Sequence, residues 1–212
     1  MFDLYLITDP QARAGLLETT RAALAGARPG RVAVQLRAKE LPSRELLAAA
    51  RALREMTRQA RALLLINDRV DIAELSEADG VHLPERSISP VDARKLLGPE
   101  ALIGVSRHDA PGLERAGSAS ASFATVSPFG SAPGKGKPLG PERFAEIARS
   151  ARIPVFALGG IDLDNVKSAI AAGASGIAVI RAVYASSDPA ASVRALLKAL
   201  DEAGGNGRYN LS

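Results

Sequence analysis

Eight short apolar runs, each followed by a helix-forming stretch rich in Ala, Leu and Arg, divide this chain into repeating units. The runs are Leu4–Thr8, Val32–Leu36, Leu63–Asn67, Gly80–Leu83, Leu102–Ser106, Ser122–Val126, Pro154–Leu158 and Gly176–Ile180. Their length and aliphatic content are those of strands buried on both faces. The longer helical stretches are Ala14–Gly26, Ser43–Arg61, Pro90–Leu97, Pro141–Arg149, Leu163–Ala172 and Asp188–Ala203, with shorter ones at Val70–Leu75 and Ala110–Ala116. Strands alternating with helices build a parallel sheet. Eight such units, of about 26 residues each, close into a compact single-domain (β/α)8 TIM barrel. The competing fold, an open doubly wound sheet, carries a glycine-rich loop after its first strand; here that place reads Thr8-Asp9-Pro10. The stretch Ser127–Gly140 is rich in Gly, Pro and Ser, but it falls between a strand and a helix and reads as a barrel loop. The barrel domain is expected over residues 1–204, with 205–212 a frayed tail.

Composition narrows the function. Aromatic residues make up 4% of the chain and Trp is absent, so the core is expected to be aliphatic, which argues against an antibody-like sandwich and an aromatic-stacking RNA module. The absence of Cys removes disulfides, thiolate zinc sites and cysteine nucleophiles. The net charge of +4 is spread along helices rather than gathered in one patch. That argues against a nucleic-acid partner and suits phosphorylated small-molecule partners. No run reaches the roughly 18 apolar residues of a membrane span, and the start lacks a basic leader region. A cytoplasmic protein with no membrane partner is expected, and a homo-oligomer is compatible with this reading.

The polar residues cluster at strand ends. In the second strand Val32, Val34 and Leu36 alternate with Ala33, Gln35, Arg37 and Lys39. Period-two alternation directs the first set to the helices and the second to the lumen, with its polar members toward the C-terminal end, where barrel sites form. One amide and two cations there point to an anion; a lumen ion-pair network is the alternative. Asn67 and Asp68 end the third strand. Asp68 suits Mg²⁺ beside substrate phosphates, and it equally suits a helix N-cap. His82 lies in the fourth strand, as a lumen group or a structural one, and His108 follows the fifth. Gly159 and Gly160 after the seventh strand, with Val179, Ile180 and Arg181 at the end of the eighth, match the place where barrels hold phosphate; a tight turn is the other reading. The sixth loop carries Ser127, Ser131, Lys135 and Lys137, as a cover for a phosphate or as a solvated loop.

These residues fall in segments that together resemble the thiamin phosphate synthase/TenI family: LYLITD, VQLRAKE, LLINDRVDIA, ADGVHL, IGVSRH, SPFGSAPGKGKPLG, PVFALGGI and GASGIAVI. The resemblance implies an enzyme of thiamin biosynthesis that couples hydroxymethylpyrimidine diphosphate to thiazole phosphate. Diphosphate leaves first, and the thiazole nitrogen attacks the resulting pyrimidine cation. It implies Arg37, Lys39 and Ser106 as catalytic groups, with Ser106 on the pyrimidine. It places Gln35 and Asn67 on the diphosphate, with Arg37 and Lys39. It puts the thiazole phosphate against Gly159, Gly160, Val179, Ile180 and Arg181, and His82, Ser131 and Lys135 on substrate. It implies Mg²⁺ as cofactor, on Asp68. Three departures accompany the likeness. Ser87 stands where the family has its second Mg²⁺ carboxylate, with Glu85 two positions before. The sixth loop lacks the family Thr and Lys, leaving Lys135 as a substitute. Arg181 stands where a Ser is usual. A thiazole tautomerase of the TenI branch and a non-catalytic phosphate-ligand binder are the alternatives; the tautomerase His aligns with Pro128.

Overall fold

A computed structural model describes residues 2–204; the expected tail, 205–212, lies outside the described residues. The strands are β1 (Leu4–Ile7), β2 (Val32–Leu36), β3 (Leu63–Asn67), β4 (Gly80–Leu83), β5 (Leu102–Arg107), β6 (Phe123–Val126), β7 (Val155–Leu158) and β8 (Gly176–Val179). Each pairs in parallel with its neighbour in chain order, and β8 returns to β1 to close the barrel. The helices are α1 (Leu16–Leu24), α2 (Ser43–Gln59), α3 (Val70–Leu75), α4 (Pro90–Leu97), α5 (Ala110–Ser118), α6 (Gly140–Ala148), α7 (Val166–Ala171), α8 (Arg181–Tyr184) and α9 (Pro189–Glu202). No helix among the described residues is long and apolar enough to cross a membrane.

The helices form where one stripe is apolar. In α2 the buried residues Leu46, Ala50, Leu53 and Thr57 recur every three or four positions and face the barrel. Several element ends shift by a residue or two from the sequence reading, and two differences have a visible local consequence. The helix expected from Leu163 begins at Val166, because Asn165 Oδ1 accepts from the Asp162 N–H (3.2 Å) and Asp162 Oδ1 from the Asp164 N–H (3.1 Å), which fixes a turn first. The eighth run stops at Val179, and Arg181 opens the short helix α8 instead of ending a strand.

Strand alternation produces two cores. Val32, Val34 and Leu36, with their counterparts on other strands, pack outward against the helices in an almost wholly aliphatic layer. The lumen departs from the aliphatic core that composition led us to expect: it is filled by Phe2, Tyr5, Phe123 and Phe156, with Ala33, Leu65 and Ala178 beside them. These rings meet edge-on or tilted, with centroids from 5.0 to 6.3 Å apart. Gly104 is required at this level, since a Cβ there would lie 2.4 Å from the Phe123 ring and 2.7 Å from His82 Nδ1. Near the start of β1, Arg31 ties Asp3 (Nε to Oδ1, 2.9 Å) to Asp201 of α9 (Nη1 to Oδ1, 2.9 Å). The aromatic plug closes the floor, so the lumen opens at the C-terminal ends of the strands.

Candidate active site at the open end of the barrel

A cavity of about 780 Å³ occupies that open end. Its wall begins with β2, whose alternation directs Gln35 inward as the pattern requires. Gln35 is buried and donates from Nε2 to the Tyr5 hydroxyl (2.8 Å), which fixes the amide against the aromatic plug. Arg37 and Lys39 lie just past the end of β2 and line the same cavity.

Asn67 lines the cavity at the end of β3, but Asp68 does not. Asp68 adopts a left-handed backbone (φ 66), which breaks the strand alternation and turns its carboxylate to accept from the Ser87 hydroxyl. The N-cap alternative for Asp68 is also not what the structure shows: Arg69 holds that position and no side chain caps α3. Ser87 and Asp68 are thus neighbours, although they are far apart in sequence. Mg²⁺ binds through one or two carboxylates, retained waters and substrate phosphates. One carboxylate with a hydroxyl beside it fits an ion that arrives with a phosphate. It does not form a cage, and no cluster of three or more potential metal-ligating side chains exists among the described residues. Glu85 lines the cavity rim, where its Oε2 lies 3.9 Å from His108 Nε2. His108 Nδ1–H donates to the Ser127 carbonyl (3.1 Å), which joins the ends of β5 and β6.

His82 is 3% exposed, and its Nε2 lies 3.0 Å from Ser106 Oγ. Burial, helped by the charge of Arg107, pushes the imidazole down to about 3, so the ring is neutral. Nδ1 is buried without a hydrogen-bond partner. We assign the single proton to Nε2, because a buried N–H without an acceptor is the rarer kind of orphan. Ser106 Oγ then accepts from His82 and keeps its own hydrogen for the cavity. Burial also raises Tyr5 above the ordinary phenol range, against the lowering effect of the Gln35 hydrogen bond, so Tyr5 is protonated as well.

On the other side of β1, Gly159, Gly160, Val179, Ile180 and Arg181 line the cavity after β7 and β8. Gly159 and Gly160 have positive φ (89 and 66), and the loop after β6 lies directly on them. The Phe129 N–H donates to the Leu158 carbonyl (2.9 Å) and the Gly130 N–H to the Gly159 carbonyl (2.8 Å). That loop brings Ser131 and Lys135 to the cavity, while Lys137 is not on its wall.

The structure therefore gathers the sequence-nominated site residues around one cavity, except Asp68 and Lys137. Sequence reasoning passed over Thr8 and Asp9, at the end of β1, and Asp162, after β7, all of which line the wall. The rule applied to the other strands, that polar residues at a C-terminal strand end face the site, finds Thr8 and Asp9 when it is applied to the first.

The chain is similar to known proteins along nearly its whole length. Residues 4–183 match the family described as Thiamine monophosphate synthase. The putative thiamine-phosphate synthase of Geobacter sulfurreducens is 48% identical over 204 residues, covering 94% of each chain. The thiamine-phosphate synthase of Moorella thermoacetica is 42% identical over 209 residues, covering 96% of this chain and 98% of that protein. Among solved structures, the thiamine phosphate pyrophosphorylase from Pyrococcus furiosus superposes with a TM-score of 0.86 at 32% identity, covering 95% of this chain and 96% of that one. The chain belongs to the thiamine monophosphate synthase family.

Proposed function

We propose that this barrel joins hydroxymethylpyrimidine diphosphate to thiazole phosphate and releases diphosphate. The observation that carries the reading is one cavity with two anion-seeking regions on either side of β1. Arg37 and Lys39 stand after β2, and the glycine turn with Arg181 stands after β7 and β8. Ser106 on the same wall offers a neutral hydroxyl suited to an aminopyrimidine ring, and Gln35 stands on β2 beside Arg37 and Lys39 on the diphosphate side.

In this reading Arg37, Lys39 and Lys135 hold the diphosphate, with Asn67 beside them. The C–O bond from the pyrimidine methylene to the diphosphate breaks, and its electron pair leaves with the diphosphate. Cations fixed around the leaving oxygens stabilise the charge that develops there. The thiazole nitrogen then gives its lone pair to the methylene carbon, forming the new C–N bond. The Ser106 hydroxyl, set by neutral His82, donates to the pyrimidine ring and holds the methylene toward the thiazole. Asp68, with the Ser87 hydroxyl beside it, would hold Mg²⁺. When bound, the ion would neutralise leaving-group charge. Gly159, Gly160, Val179, Ile180 and Arg181 hold the thiazole phosphate, with Ser131 on the covering loop. Phosphorylated substrates do not diffuse across membranes, which supports a cytoplasmic site of action.

The test supplies both phosphorylated substrates with and without Mg²⁺ and measures thiamin phosphate. Formation that depends on both substrates and on Mg²⁺ is expected. Turnover of the thiazole alone would replace this reading with a tautomerase, and tight thiazole phosphate binding without turnover would replace it with a binder.

A further inference from the structure

Arg37 lies outside β2, so the strand ladder does not hold it. Its backbone is held instead by one side chain from the neighbouring strand. The Thr8 N–H donates to the Gln35 carbonyl (3.0 Å), continuing the β1–β2 pairing past its end. The Thr8 hydroxyl then takes both backbone groups of the next inward-facing residue. It accepts from the Arg37 N–H (2.9 Å) and donates to the Arg37 carbonyl, more weakly at 3.3 Å. Thr8 itself is 1% exposed, so water does not readily stand in for that hydroxyl. The Arg37 side chain has no ion-pair partner among the described residues.

From this geometry we propose that Thr8 is a positioning residue for Arg37. Its hydroxyl replaces the missing ladder bonds, and so fixes where the guanidinium leaves the barrel wall and enters the cavity. A guanidinium presents a rigid fork of donors, so its fit to phosphate oxygens depends on where its Cα is held. This inference rests on the reading that Arg37 binds the diphosphate.

Inorganic diphosphate, at fixed Mg²⁺, is the probe. It is titrated calorimetrically into the wild-type protein and into Thr8→Val, Thr8→Ser and Arg37→Ala. Thr8→Val keeps shape and loses both hydrogen bonds, and the part-buried Arg37 N–H is left without its partner. We expect it to weaken diphosphate binding about tenfold, an order of magnitude that matches loss of one such bond. Thr8→Ser, which keeps the hydroxyl, should stay within about twofold of wild type. A parallel titration with thiazole phosphate should change less than about twofold in all three variants, because that ligand is held across β1. Partial unfolding would lower the binding stoichiometry of both ligands together, whereas displacement of Arg37 raises the dissociation constant for diphosphate alone. If Arg37→Ala weakens diphosphate and Thr8→Val binds it as wild type does, Thr8 does not position Arg37. If Arg37→Ala itself binds diphosphate unchanged, the assignment of Arg37 to the diphosphate fails, and the role of Thr8 fails with it.

Discussion

His82 shows how far one buried side chain can bias the whole site. Its ring stacks tilted against Tyr5 and Phe123, with centroids 5.7 and 5.8 Å away, and its Nε2 meets Ser106 where both residues line the cavity. The folded imidazole is depressed from 6.5 to about 3, first by burial and then by Arg107, so the unfolded chain binds a proton that the folded chain refuses. The stabilisation from keeping this ring neutral is complete above about pH 6.5 and drains as the pH falls toward 3, by up to about 1.4 kcal/mol per unit. Denaturant unfolding between about pH 7 and about pH 5 should therefore show stability falling on acidification, with a shallower fall in His82→Asn. An equal slope in the two proteins would mean that His82 is not the group being protonated. The residue scale is also where the sequence was hardest to read. Thr8 looks like any strand threonine until its hydroxyl is seen on Arg37, and the direction of Asp68 depends on a left-handed backbone that alternation cannot foresee.

At the scale of elements, the sequence was far more legible. All eight strands lie within a residue or so of their apolar runs. The lumen-facing set of β2 follows directly from period-two alternation. The four-residue helix α8 was missed because it is barely one turn long and has no periodic stripe to reveal it. The loop after β6 was legible only as a loop. That it lies on the glycine turn after β7 is a tertiary fact, visible in the contacts a side chain would make. A Cβ on Gly160 would come within 2.5 Å of both the Gly130 carbonyl carbon and the Ser131 oxygen. Gly160→Ala should push the loop off the turn as well as strain a positive φ. We expect thiazole phosphate binding to weaken by roughly tenfold or more, with a stability loss of about 1–3 kcal/mol. Gly134, on the same loop, has nothing within 4 Å of such a Cβ but shares the positive φ (67), so Gly134→Ala carries the backbone strain without the clash. Equal effects from the two substitutions would show that the contact between loop and turn does not matter.

The whole molecule divides into a floor that gives stability and a mouth that carries the site. Four of the chain's few aromatic residues are spent on the floor, which bulk composition could not foretell, because percentages do not say where rings gather. Phe156 is fully buried among Phe2, Tyr5 and Phe123. Phe156→Ala should cost about 3–5 kcal/mol in denaturant unfolding, the usual range for emptying such a position. A loss below about 1 kcal/mol would mean that the plug collapses to fill the gap and is not the rigid base described above. A barrel stoppered at one end is a vessel with a single door. Two substrates must go in and two products must come out by the same opening, past the loop that carries Ser131 and Lys135. Substitutions at the rim should therefore slow arrival and departure together, and traffic through that doorway sets a ceiling on turnover that no change in the floor can lift.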